Sequence, residues 1–350
     1  MSSTLGTAKR PVRRRHAIGA ALLAVTAVAT MTSCAEEPGK DGGKSGDTIT
    51  MGLTYTPNIQ FSPFYVAKEK GFYEDAGIKV TLRHHGPGEQ LFGALQGGKE
   101  DVVYAGGDEM LQARSQNVPV VDIATIYHKY PVALLVPEDS DIRKPEDLKG
   151  RTIGTPGPFG ETYFGLLALL KEGGLSDKDA KVKYIQFTQQ AALKGGHVDG
   201  VMGYVNNDAV TFEETGTPVR AIGLSSENGG EALVGPSLGA KKSTLDKRGD
   251  DIAKFVDASL RGMQYVIDHP EEAVKLSQKY VPVLKKESNR KNALAVLKAT
   301  EPLMRNDHGE LGYIDPQAWG QMADFMYDQG LLDKQVRPED GYDADYLPKS

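Results

Sequence analysis

Four short stretches of this chain hold side chains suited to gripping a small molecule. The first is Asn58-Ile59-Gln60-Phe61 with Phe64 and Tyr65 close behind. Asn58 and Gln60 carry amide donors and acceptors, and Phe61 and Tyr65 offer flat apolar faces. The second is Gly106-Gly107-Asp108-Glu109. Asp108 suits two tasks there, capping the helix expected from Glu109 and contacting a ligand. The third is Pro156 to Thr162, in which Gly157 and Gly160 let backbone N–H groups approach a ligand and Phe159 supplies a ring. Glu161 and Thr162 open a helix whose first turn carries partial positive charge, so Glu161 either answers that charge or accepts from a ligand amine or ring N–H. The fourth is Tyr204 to Asn207, including Asn206, with Tyr127 and His128 expected opposite.

The side-chain types narrow the chemistry. Phe61, Tyr65, Tyr127, Phe159 and Tyr204 can stack on a flat ligand. The same turns hold almost no cation beyond Lys129, and they hold the acids Asp108 and Glu161. That combination favours a neutral or weakly basic heterocycle. An anion would call for cationic and small hydroxyl groups, and it stands as the alternative. Nothing suggests covalent catalysis: no Gly-x-Ser-x-Gly elbow occurs, and the one cysteine, Cys34, lies near the N-terminus. His84-His85 is the only adjacent histidine pair. Neighbouring side chains on a strand face opposite ways, so no metal site is expected from it. No cofactor is expected either.

The elements that would position these stretches alternate. Thr48–Tyr55, Ile78–His84 and Val102–Ala105 read as strands, with helices over Phe64–Glu74, Gln90–Gln96 and Glu109–Gln116 between and after them. The pattern then recurs: strands over Arg151–Thr155 and Val182–Phe187, and helices over Gly160–Lys171 and Gln190–Leu193. One ten-residue segment, Ala94 to Val103, returns as Ala192 to Val201 with six identical positions. Its physics is a helix closed by glycine, a tight turn and entry into a buried strand. Two similarly built α/β lobes follow, each with a mixed, mostly parallel sheet flanked by helices. Pro131–Pro137 reads as one crossing between the lobes, with Pro218–Leu224 and Leu233–Ala240 as the return. Two crossings make a hinge, and the hinge makes a ligand cleft. Helices over Asp251–Asp268, Glu271–Tyr280, Asn289–Glu301 and Pro316–Gln329 are expected to pack on the first lobe. Phe64, Phe72 and Tyr73 are expected in the core.

The N-terminus carries a different message. Lys9, Arg10, Arg13, Arg14 and Arg15 precede an apolar run, Ala17–Thr30, too short for a stable mature span but suited to the core of an export signal. Met31-Thr32-Ser33-Cys34 then resembles a lipobox, in which the cysteine is acylated and becomes the new N-terminus. Residues 1–33 are read as signal peptide and 34–47, polar and glycine-rich, as a tether. The chain has a formal net charge of −6, and the five leading cations leave the remainder more acidic still, which disfavours nucleic acid as a partner.

Tyr55-Thr-Pro-Asn58, Phe64-Tyr-Val-Ala67, Lys70-Gly-Phe-Tyr73 and Gly77-Ile-Lys-Val80 resemble the opening of the NMT1/THI5-like group. The similarity continues through Gly97–Asp101, Glu146–Gly154 and Gly195–Asp199. That group includes the solute-binding components of ABC importers for thiamine pyrimidine precursors, riboflavin, nitrate and aliphatic sulfonates. The resemblance implies a two-lobed type II periplasmic binding protein fold, with lobe 1 over 48–136 and 226–350 and lobe 2 over 137–225. It implies capture by lobe closure and delivery to a permease with its ATPase, by a monomer anchored outside the cell membrane through lipid on Cys34. Asn58 to Ala67 looks most like the vitamin-precursor binders. Fungal relatives are pyrimidine synthases that use a cysteine-rich segment, which this chain lacks.

Overall fold

The computed structural model describes residues 48–86, 89–224, 233–306 and 309–349. The signal, the tether and Cys34 lie outside the described residues. Among those described, no helix is long and apolar enough to cross a membrane.

Two five-stranded sheets organise the chain. The first contains β1 (Thr48–Leu53), β2 (Lys79–His84), β3 (Val102–Gly106), β4 (Val120–Thr125) and β10 (Pro236–Lys241), in the order β2-β1-β3-β10-β4. The second contains β5 (Val132–Pro137), β6 (Thr152–Thr155), β7 (Lys181–Tyr184), β8 (Gly200–Tyr204) and β9 (Val219–Ile222), in the order β7-β6-β8-β5-β9. In each sheet three strands run parallel, and a strand arriving from elsewhere in the chain inserts antiparallel beside them. β5 and β10 hold matching places, the position next to the third parallel strand.

The repeated segment has one structural cause in both lobes. Helices α3 (Gly93–Gln96) and α6 (Gln189–Lys194) each end at a glycine pair, and Gly98 and Gly196 have φ of 70° and 64°. These left-handed conformations would strain any other residue. The backbone of Lys99 then bonds back to Ala94, and that of His197 to Ala192. The repeated aspartate locks the next strand in both cases: Asp101 accepts from the Thr50 N–H at 2.9 Å and Asp199 from the Thr152 N–H at 2.7 Å.

Several expectations shift. The helix expected over Phe64–Glu74 is two, α1 (Ser62–Glu69) and α2 (Phe72–Asp75), because Gly71 turns left-handed between them. The helix expected over Gln90–Gln96 shortens to the single turn of α3. Residues 132–136, expected in the first lobe, pair with β8 and β9 of the second sheet, so the chain changes sheets at Ile126–Pro131. β4 and α7 (Asp208–Glu214) have no counterpart in the sequence reading. Phe64 and Tyr73 are buried as expected, and Phe72 packs against the same core.

The C-terminal helices do more than cover the first lobe. α8 (Lys242–Asp268) and α9 (Pro270–Ser277) pack on α1. α10 (Glu287–Met304) reaches the second lobe, where Asn292 donates to Glu214 at 2.6 Å. α11 (Pro316–Asp328) departs further from expectation. Its Trp319, Met322, Phe325 and Met326 share a core with Phe164, Leu167 and Leu170 of α5 (Gly160–Glu172) and Leu111 of α4 (Gly107–Ser115). The apolar face of α11 is buried where helices of both lobes meet, so the two lobes share a core behind the hinge.

Gly262 shows how tightly α1 and α8 approach. A Cβ there would run into the Pro63 carbonyl oxygen and lie 2.8 Å from the Ala67 Cβ. A backbone carbonyl cannot rotate away, so the clash outweighs the ~1 kcal/mol that alanine gains over glycine in a helix. Gly262→Ala is expected to destabilise the fold by about 1–3 kcal/mol, read as a lower midpoint in urea unfolding.

Candidate ligand site between the two lobes

The N-termini of α4 and α5 belong to different lobes and face each other. α4 begins at Gly107 directly after β3, and α5 at Gly160 shortly after β6. A Cβ on Gly106 would lie 3.0 Å from Glu161 Cγ, and one on Gly160 would lie 3.2 Å from Glu109 Oε1. Glycine at both places therefore lets the helix ends close on each other. Two helix N-termini gather partial positive charge at this point, and the chain answers with three acids of its own, Asp108, Glu109 and Glu161.

Each acid is held differently. Glu109 folds back so that its Oε2 accepts from the Gly106 N–H at 3.0 Å, and it is this residue that caps α4. Asp108, expected as the cap, instead accepts from the Glu109 N–H at 2.7 Å and from the Tyr130 hydroxyl at 2.7 Å. Glu161 accepts from the Tyr204 hydroxyl, while its backbone carbonyl accepts from Tyr130 at 2.8 Å. Tyr130 thus ties the acids of the two lobes together. Among the described residues no ion pair joins any of the three acids to a lysine or arginine.

Burial without a cation has the expected electrostatic result. Desolvation, then the charges of its neighbours, pushes the Asp108 and Glu161 carboxyls well above the usual range. Burial pushes Glu109 up to about 7. Glu109 keeps some solvent contact while Asp108 has none, so Asp108 is the more strongly perturbed of the pair. Tyr104, Tyr130 and Tyr204 are raised well above the usual tyrosine range, chiefly by desolvation and partly by Glu161. Burial takes Tyr127 up to about 12.

The stretches singled out from sequence divide between cleft and core. Asp108, Glu109, Glu161, Tyr204, Tyr127 and Asn206 come together at the closed interface. Gly107 serves the crossing: its N–H bonds to Gly235, and a Cβ would strike Val234. Gly157 lies beneath the Phe159 ring, which is 58% exposed at the rim. Thr162 accepts from the Thr155 hydroxyl at 3.5 Å. In the first stretch, Asn58 caps a 3-10 turn by accepting from the Gln60 N–H at 3.1 Å, and Gln60 stays partly exposed.

Phe61 and Tyr65 are fully buried in the first lobe. Phe61 sets its edge on Tyr104 with ring centroids 5.5 Å apart. Tyr65 stacks on Tyr280 at 4.4 Å and bonds His84 at 3.0 Å. Their faces are taken by protein rings, so the stacking surface expected from them is not free in this conformation.

Three residues of the cluster escaped the sequence reading: Tyr104, Tyr130 and Thr300. Tyr104 carried a usable signal, a hydroxyl at the third position of the buried strand Val102–Gly106, where a polar atom requires a partner. Thr300 lies some 94 residues from its partner Asn206, at 2.9 Å, and no local pattern joins them.

Another group resembles a metal site. His85, Glu89 and Glu100 place ligand atoms within 4.8 Å of one another. Arg83, however, donates to Glu89 and Glu100 at 2.6 Å each, and His85 lies 2.9 Å from the same Glu100 oxygen. A guanidinium already supplies the positive charge there, in bidentate-like geometry that a metal would have to displace. Equimolar zinc is expected to leave the melting temperature unchanged. A rise of several degrees that disappears in His85→Ala would instead show coordination.

The chain matches the family described as "NMT1/THI5 like" over residues 58–273. It is 33% identical over 306 residues to a riboflavin-binding protein, RibY, of Chloroflexus aurantiacus, covering 86% of each chain. It is 21% identical over 327 residues to a formylaminopyrimidine-binding protein of Halalkalibacterium halodurans, covering 91% of this chain and 96% of that one. Among solved structures it superposes on the periplasmic aliphatic sulphonate binding protein SsuA of Escherichia coli with a TM-score of 0.66 at 18% identity, covering 84% of this chain and 97% of that one.

Proposed function

The chain belongs to the NMT1/THI5-like family, and on that premise we propose that it is the extracytoplasmic solute-binding component of an ABC importer for a small aromatic heterocycle of the flavin or pyrimidine-precursor class. The observation that carries the reading is the buried, cation-free acid cluster between two facing helix N-termini, contributed by both lobes. An anion entering there would meet Asp108, Glu109 and Glu161 with no compensating lysine or arginine. A heterocycle bearing N–H groups would meet acceptors. The two-lobed periplasmic binding protein fold, with Tyr130 and the 126–131 crossing beside the cluster, supports capture by lobe closure. The ligand then contributes the free energy by which it favours the closed form.

In this reading the protein binds and performs no chemistry. The cluster holds no thiol and no nucleophile–base pair with a free serine or lysine. The export signal and Cys34 favour a lipid anchor on the outer face of the membrane, with the permease and its ATPase as partners of a monomer. Loss of membrane retention in Cys34→Ser would test the anchor.

A thermal-shift panel tests the ligand class, using riboflavin, thiamine, free and formylated aminopyrimidines, taurine, an alkyl sulfonate and nitrate. A ligand at a hundred times its Kd stabilises by ~2.7 kcal/mol. Stabilisation is expected from a flavin or pyrimidine alone. Stabilisation by a sulfonate or nitrate alone would overturn the ligand class and leave the transport role standing.

A further inference from the structure

Four buried polar atoms where the two lobes meet lack hydrogen-bond partners: the hydroxyls of Tyr104 and Tyr127, Glu161 Oε1 and Asn206 Oδ1. All four residues are more than nine-tenths buried, at 5%, 2%, 7% and 3% exposure. A buried polar atom without a partner costs on the order of 1–3 kcal/mol, so four in one place point to something that completes them. They do form one place. The Tyr127 hydroxyl lies beside those of Tyr104 and Thr300 and the Asn206 amide, close enough to interact but not at bonding geometry, and both tyrosines feel the Glu161 charge. The remaining valences are fixed. Glu161 Oε2 is taken by Tyr204, and Asn206 donates its amide to Thr300, which orients Oδ1 as an acceptor.

The free set is therefore two donors from the first lobe and the crossing, and two acceptors from the second lobe. Resting on the importer reading above, we propose that this set recognises an imide edge, a ring N–H between two carbonyls, with the N–H on Glu161 and the carbonyls on Tyr104 and Tyr127. Asn206 accepts from a further N–H or hydroxyl on the same ligand. A flavin or a pyrimidinedione presents that acceptor–donor–acceptor order. An aminopyrimidine presents an acceptor beside a donor and leaves one tyrosine hydroxyl unmet. Because the donors and acceptors come from opposite sides of the cleft, only the closed form assembles them, and edge recognition is coupled to closure.

Calorimetric titration tests this with riboflavin, 3-methylriboflavin and a free aminopyrimidine. Riboflavin is expected to bind the unmodified protein, and its 3-methyl derivative at least a hundredfold more weakly. Tyr104→Phe and Tyr127→Phe should each weaken riboflavin about three- to thirtyfold, with far-ultraviolet dichroism unchanged. In Glu161→Ala the penalty for the methyl group should fall at least tenfold, as a double-mutant cycle requires of direct partners. Equal binding of riboflavin and its methyl derivative overturns the imide proposal. A methyl penalty unchanged in Glu161→Ala overturns the assignment of the N–H to Glu161. Binding of the aminopyrimidine without riboflavin overturns the imide edge and leaves the importer reading intact, whereas failure of every heterocycle in the panel overturns both the imide edge and the heterocycle class.

Discussion

Glu161→Gln is expected to raise the melting temperature of the ligand-free protein at pH 8 and to weaken ligand binding roughly ten- to a hundredfold in the same preparation. The two effects share one cause. Glu161 is buried beside Asp108 and Glu109 without a cation, so its charge costs stability when no ligand is present. Glutamine keeps an oxygen to accept from Tyr204 and removes the repulsion. The ligand loses a charged acceptor, and hydrogen bonds to charged groups contribute about 1.5–3 kcal/mol, which corresponds to the stated range in Kd. Thermal unfolding with and without ligand, followed by titration, checks both. A lower melting temperature with unchanged affinity would show Glu161 to be an ordinary structural residue.

The second large effect is with pH. Burial raises Asp108, Glu161 and Asp208, and takes Glu109 and Asp122 up to about 7. In the unfolded chain these acids titrate near 4. Between about pH 4 and pH 7 the folded protein therefore holds protons that the unfolded chain has released, and stability falls as pH rises through that window. Asp122 alone, fully buried on β4, contributes at most on the order of 4 kcal/mol to that loss. The exposed acids act in the opposite sense: their arginine partners, Arg83 and Arg151, hold Glu89 and Asp141 below the usual range, so their contribution is present above pH 4 and lost below it. Ligand-free stability should thus peak near pH 4 and decline toward pH 8. Asp122→Asn, which keeps an oxygen to accept from the Ala124 N–H, should flatten the decline. A melting temperature that climbs steadily from pH 5 to pH 8 would contradict the burial of uncompensated acid in the native protein.

Much of the fold was legible because the signals were local. Glycine pairs at 97–98 and 195–196 end helices by a backbone rule, and the aspartates at 101 and 199 lock the following strands, so the repeat could be read from ten residues. β3 is a continuous buried run, Val102–Gly106, because it lies inside its sheet and is covered on both faces. What stayed hidden depends on distant partners. Nothing local says that Val132–Pro137 joins the second sheet, or that α11 seals the place where α4 and α5 meet. The site divided in the same way. Asp108, Glu161 and Tyr204 follow strand ends and could be placed at a cleft by topology. Phe61 and Tyr65 also sit near a strand end, but the 3-10 turn over Ile59–Phe61 and then α1 direct them inward, Phe61 against Tyr104 and Tyr65 against Tyr280. Tyr130 has no local signature because its importance lies in joining two acids that are 53 positions apart in the chain, Asp108 and Glu161.

The most direct measurement is a fluorescence titration of riboflavin with the purified domain from Gly46 to Ser350 at pH 7.5, with a hundredfold excess of alkyl sulfonate as competitor. Burial of the ring among tyrosines is expected to quench the flavin in a saturable, one-to-one manner that the sulfonate leaves unchanged. Absence of quenching, together with thermal stabilisation by the sulfonate, would contradict an acid-lined site for a neutral heterocycle.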